Sequence, residues 1–258
     1  FGDLKGKKFN QLPGDLIEHI TSYALSITVV REATDEAVHE LFSRLQNGTA
    51  LNAAEKRNAI KSQFRDFIRS TVEKNKVFSN TTKKNIRFDL DEWAASCYLL
   101  EEANGATDMG TKNLEKLYKD NVSFDENSST TTKFNKVLNF MNKVFDEITP
   151  ELQKKYCFID FYYLISKLIS KYDIRYSQSK FKAVFLNFEE ERNSIEDEAE
   201  YIRSDEWQKN DLAEYYDAFR REGNKRDKIT IRHQVYLNRF LNDIELTKLD
   251  NDRVFSRE

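Results

Sequence analysis

Turn-forming residues are scarce in this chain, with only 7 Gly and 2 Pro among 258 positions. A sheet-rich fold needs tight turns between its strands, and tight turns draw heavily on these two residues. The scarcity therefore predicts a mainly α fold, and the run of the chain a helical array following a small α/β edge. With 19 Phe and 12 Tyr, the chain can build a core with little Val. Its length suits one large domain or two modest ones.

A third of the residues are charged, yet the formal net charge is only −3. That balance speaks against a strongly basic nucleic-acid coat and leaves room for a local basic face. Cys97 and Cys157 lie among apolar residues without metal-ligand spacing, which reads as two buried free thiols in a reducing compartment. Glycosylation sequons at Asn47, Asn80 and Asn127 would matter only in a secreted protein, and no signal peptide is read. No apolar run approaches the ~20 residues that span a bilayer. The expected location is cytoplasmic, with no membrane partner. The chain opens at Phe1 without Met and stops on "FSRE", which reads as an excerpt of a longer protein.

Leu12-Pro13-Gly14-Asp15 predicts a turn followed by a short helix. "YALSITVV", Tyr23 to Val30, is rich in β-branched residues and predicts a strand that must pair with something. Thr34 or Asp35 can cap a helix over 34–46, with Val38, Leu41, Phe42 and Leu45 inward. Gly48 can close that helix in the left-handed conformation. Asn52 and Glu55 have capping-box spacing and start the next one. The predicted unit is a helical hairpin, 34–46 and 53–72, about Gly48. In its second helix Ile60, Phe64, Phe67, Ile68 and Thr71 face inward, and Arg57, Lys61, Arg65 and Arg69 form a basic ridge.

Further along, Asp89 and Glu92 stand in capping-box order before a buried helix. "ENSSTTTK" (126–133) is a loop or the entry to a helix whose apolar face runs from Phe134 to Ile148. Thr149-Pro150-Glu151 is a helix start, and the next apolar face runs from Phe161 to Tyr172. Helices are expected over 178–202, 206–222 and 229–243, with Gly223 a stop between the last two. No repeat of fixed period is found.

No motif assembles a catalytic or metal site. His19, His39 and His233 are isolated and read as ordinary surface or boundary residues. The acidic run "FEEERNSIEDEAE" reads as a solvated helix face. "KGKKF" lacks the strand-loop-helix context of a phosphate loop. The ridge of Lys61, Arg65 and Arg69 with Arg57 suits DNA phosphates, or else is a solvated face paired with Asp66 and Glu73. Arg44 and Arg57 flank the hairpin turn and could equally pair with Glu40 or Glu55.

"FSRLQNGTALNAAEKRNA", Phe42 to Ala59, resembles the Phe-x-Arg-Leu-Asn-x-Gly-x-x-Leu-Asn-x-x-Glu-x-Arg-Asn-Ala signature of the GmrSD-type family. Many of its members act in bacterial restriction of phage or modified DNA. The upstream "LKGKKFNQLPGDLIEHITSYALSITVV" is similar to that family's run into the signature. Together the two cover about the first quarter of the chain. Gln46 departs from the pattern, which usually has Asn there.

The resemblance implies a ParB/sulfiredoxin-like domain ending near residue 75, a helical domain over 76–250, and a lead-in over 251–258 to an HNH nuclease domain. It implies a nucleotide or phosphate pocket formed by Arg44, Asn47, Gly48, Asn52, Glu55, Arg57 and Asn58. The amide of Asn58 both donates and accepts, and the fork of Arg57 suits phosphate. The family's Asp-Gly-Gln-Gln-Arg motif would precede Phe1. The whole protein would use a divalent metal and a nucleotide, and this stretch no cofactor of its own. The expected role is the central scaffold and sensor of a defence endonuclease. Its partners would be DNA and the flanking domains, with homo-oligomerisation left open. The alternatives are a non-catalytic helical adaptor for protein or nucleic acid, or a nucleotide-binding regulator.

Overall fold

The computed structural model describes residues 51–194 and 211–249, and before them residues 4, 6–25, 27, 29, 31, 33, 34, 37, 38 and 41. The chain divides into two compact units, Phe1–Ala50 and Leu51–Glu258. In the first, a 3-10 turn over Phe9–Gln11 precedes helix α1, Gly14–Thr21, entered from Pro13 as the turn signal predicts. The Thr34 hydroxyl accepts the Ala37 N–H at 3.3 Å, and Ala37, Val38 and Leu41 are helical. The other residues of the expected helix from Asp35 to Gln46 lie outside the described ones, as does the turn at Gly48.

The predicted strand is not found in the described part of its segment. Tyr23, Ala24, Leu25, Ile27 and Val29 have no strand conformation, and the four large ones are 69–80% exposed. A strand is stabilised by its ladder, and among the described residues nothing pairs with this one.

The second unit is mainly helical. Its helices are α2 (Ala53–Asn58), α3 (Gln63–Lys74), α4 (Lys76–Ser79), α5 (Asp89–Glu102), α6 (Thr111–Asp120), α7 (Ser129–Val144), α8 (Lys155–Leu168), α9 (Gln178–Asn193), α10 (Asp211–Arg220) and α11 (Arg226–Asp243). A two-residue antiparallel pair joins β1, Tyr172–Asp173, to β2, Thr247–Lys248. Among the described residues no helix is long and apolar enough to cross a membrane.

Helices α5 and α8 are central. Each buries 11 of its 14 residues, as a helix apolar nearly all round must. Around them pack α3, α6, α7 and α11. Aromatic rings fill the gaps between helices. Phe64 meets Tyr118 edge-on at 5.1 Å, and Phe161 meets Phe185 edge-on at 5.4 Å. Such pairs add about 0.5–1.5 kcal/mol beyond the area they bury.

Several boundaries differ from the sequence reading. The helix expected over 53–72 is two helices. Ser62 is extended and its hydroxyl accepts the Arg65 N–H at 3.1 Å, so α3 has its own N-cap and 59–62 is a break. Asp89 and Glu92 do not form a capping box. Phe88 enters α5 in the left-handed conformation, and the Asn85 side chain caps it by accepting the Leu90 N–H at 2.9 Å. Ser128 caps α7, making 129–133 its first turn. The helix expected over 178–202 is described to Asn193, and residues 195–210 lie outside the described ones. Gly223 separates α10 from α11 for a reason of packing. A Cβ there would stand 2.5 Å from the Tyr156 ring.

Candidate functional site

The signature helix α2 is built by its caps. The Asn52 side chain accepts the Glu55 N–H at 2.7 Å, and Glu55 accepts the Asn52 N–H at 2.8 Å, the reciprocal box its spacing predicts. Glu55 also takes both nitrogens of the Arg87 fork, at 2.8 and 2.6 Å. The Arg87 bonds, and then the Asn52 N–H, bring its carboxyl down to about 2. Arg87 and Phe88 are both left-handed, at φ 55° and 66°, which is unusual for residues with a Cβ. The Glu55 fork and the Arg69 guanidinium, 5.3 Å over the Phe88 ring, hold this bend.

Arg57 faces inward and is 2% exposed. Among the described residues its partner is Glu92 of α5 rather than Glu55, and Lys155 of α8 binds the same carboxylate at 2.8 Å; Glu40 lies outside the described residues. Burial alone would raise the Glu92 carboxyl, but the two cations outweigh it and hold it below the usual range. The Arg57 Nη1 has no hydrogen-bond partner among the described residues. Asn58 is also buried. Its amide donates to the Ala54 carbonyl at 3.2 Å and its oxygen accepts from Arg69 at 3.3 Å.

The expected basic ridge is therefore not one line of charge. Arg57 is inside, and Lys61 is exposed in the break between helices. Arg65 is bound to Asp66 at 2.8 and 2.7 Å, and Arg69 to Asn58. The break at 59–62 rotates α3 away from the register a single helix would have kept. Arg44, Asn47 and Gly48 of the expected pocket lie outside the described residues. None of Asn52, Glu55, Arg57, Asn58, Lys61, Arg65 and Arg69 lines the groove of about 910 Å³ found elsewhere in this unit.

The sequence reading passed over two buried charge clusters. Arg232 of α11 grips Asp160 of α8 through Nε at 2.7 Å and Nη2 at 3.1 Å, and Tyr215 of α10 donates to the same carboxylate at 2.9 Å. Its signal was an acid in the middle of the apolar run "YCFIDFYYLISKL". Glu189 of α9 accepts from Arg192 at 2.9 Å and from the Cys157 thiol at 3.2 Å. Glu189 is 0% exposed, so the solvated-face reading of the acidic run is wrong for it, though right for the exposed Glu190 and Glu191. Both thiols are buried and free. Burial pushes each well above the usual thiol range, which makes them poor nucleophiles.

His233 is partly buried, its ring 4.4 Å from that of Tyr163, and its Nδ1 has no partner among the described residues. Burial, then Lys167 and Lys171, bring it down to about 4. An unfolded chain takes up this proton near pH 6.5, while the fold holds the ring neutral until about pH 4. The stabilisation is complete above pH 6.5 and shrinks as pH falls towards 4, by up to about 3 kcal/mol. Urea midpoints at pH 7 and pH 4.5 should diverge in the native chain and lie closer together in His233→Leu. An equal divergence in both would disprove the assignment.

Among the described residues no three His, Cys, Asp or Glu side chains converge as metal ligands. The ion-paired groups around α2 are arranged to fasten helices, with no exposed nucleophile beside a base. Comparison of the chain with protein-family models, with curated proteins and with solved structures finds no match.

Proposed function

We propose that this chain is the central helical scaffold of a GmrSD-type, HNH-linked DNA endonuclease of bacterial defence. The observation that carries the reading is the state of the signature's second half. Asn52 and Glu55 cap a short helix, and Arg57 ties it to the helical body through Glu92 and Lys155. A sensor domain before the signature would then be linked to that body through buried charge, a stiff connection suited to passing on a change of position.

The hydrolytic step is assigned to the HNH domain that the family resemblance implies after this stretch. Nucleotide contact is not assigned to the described residues, because Arg57 is turned inward. The groove favours the second reading, a helical adaptor that binds nucleic acid without catalysis.

Residues 1–258 should not cut DNA with magnesium or manganese. A polypeptide extended beyond Glu258 along the parent reading frame should cut it and should restrict phage in cells. Plasmid nicking by the purified short chain, absent from a heat-killed control, would overturn the reading. Failure of the extended protein to cut or restrict would favour the adaptor.

A further inference from the structure

The groove lies between one face of α7 and the segment from Ile169 to Gln178. The face of α7 is set by helical spacing. Phe134, Val137, Leu138, Met141 and Val144 turn to the core, so Asn135, Lys136, Asn139 and Lys143 turn towards the groove. Its floor is apolar, formed by Phe140, Ile169 and Ile174, all buried. At about 910 Å³ it is at the upper end of the range for small-ligand sites, about 300–1,000 Å³.

Three features of the lining are open to an occupant. Lys136 and Lys143 are exposed and form no ion pair among the described residues, unlike Arg175, whose charge is taken by Asp173 at 2.9 and 2.6 Å. The amides of Asn135 and Asn139 make no hydrogen bond among the described residues, leaving donors and acceptors open on the same wall. Tyr176, at the opposite rim, is 88% exposed, the most exposed large apolar side chain among those described, with the Arg175 guanidinium 5.9 Å from its ring centroid. Glu126 is the one lining carboxylate besides Asp173.

We propose that this groove binds single-stranded nucleic acid, with Tyr176 stacking a base, Asn135 and Asn139 meeting base edges, and Lys136 and Lys143 contacting phosphates. The two lysines are seven residues apart, about 10.5 Å along a helix. That separation lets them meet two different phosphates of one strand. An exposed ring beside open amides and cations is how unpaired bases are recognised. An acidic peptide would use the lysines and the amides but offers the ring no planar base to stack on. A duplex keeps its base faces stacked out of reach of Tyr176. The groove shares no residue with the GmrSD-like signature, so the proposal is independent of the nuclease reading.

The test is fluorescence anisotropy of the 258-residue chain with a labelled oligothymidylate of about twelve nucleotides, at low and rising salt. Binding should weaken as salt rises. Lys136→Glu with Lys143→Glu should weaken it at least about tenfold and flatten the salt slope by about 1.4 log units per decade. Tyr176→Ala should weaken it by about tenfold with the salt slope unchanged. All three side chains are exposed, so far-ultraviolet circular dichroism should be the same for every variant. No binding at low salt, or equal binding by the variants, would overturn the proposal. So would tighter binding of a duplex or a polyglutamate peptide that shows the same dependence on these residues.

Discussion

Replacing Arg232 by methionine is expected to cost about 3–5 kcal/mol of folding stability, the usual penalty for stranding one partner of a buried ion pair. Arg232 is 0% exposed and Asp160 2%. Besides its two bonds to Asp160, the guanidinium donates through Nη1 to the carbonyls of Ala218 and Gly223, each at 2.9 Å, and lies 4.4 Å over the Tyr156 ring. One side chain thus joins α8, α10, the Gly223 turn and α11. Methionine fills much of the volume but leaves Asp160 with only Tyr215, and two carbonyls without their donor. Burial already pushes the Asp160 carboxyl up, so without Arg232 it should take up a proton on folding. A chain of this kind is stable by about 5–15 kcal/mol in all, so the loss is a large part of the total. Denaturant midpoints measure it. Arg232→Met with Asp160→Leu should recover part of the loss, because the stranded charge is gone. A single variant within about 0.5 kcal/mol of the native chain, the range of an ordinary surface change, would show that the cluster is not a clasp.

The second large effect is at Arg57. Arg57→Ala should destabilise the second unit by about 3 kcal/mol, somewhat less than Arg232→Met, because Lys155 stays behind to pair Glu92. The hydrogen bonds that close α2, from Asn52 and Glu55, are untouched, so the helix should persist while its hold on α5 loosens. Thermal unfolding together with amide exchange of residues 53–58 separates the two. Faster exchange there, with a lower melting temperature, is the expected result. An unchanged melting temperature would mean that Arg57 is held for a ligand rather than for packing, as the family resemblance implies. In that case its unpartnered Nη1 would be the atom to follow.

Much of the helical layout was legible in the residues. The period of apolar positions from Phe134 onwards predicted α7, while Thr149-Pro150-Glu151, read as a helix start, opens a 3-10 turn over Pro150–Gln153 and α8 begins only at Lys155. Asn52 and Glu55 formed the box that their spacing implies. Gly223 was rightly read as a stop, though the reason is the Tyr156 ring against it. The candidate site was much less legible. Arg57, Lys61, Arg65 and Arg69 have an even spacing of four, which implies a ridge only if one helix carries them all. Ser62, a strong N-cap, stands in the middle of that run.

What the sequence determined by itself is the set of interactions within about one helical turn: where helices start, which stripe of each is apolar, and which caps close them. These depend on spacings of three or four residues and need no knowledge of the rest of the chain. The partners of the buried charges were decided by tertiary structure alone. Arg57 meets Glu92 across 35 positions, and Arg232 meets Asp160 across 72. In each case the carboxylate was one acid among 44 in the chain. Only the packing of α5 and α8 against their neighbours selects which acids lose water, and a charge that loses water must find its counter-charge wherever the fold has put it.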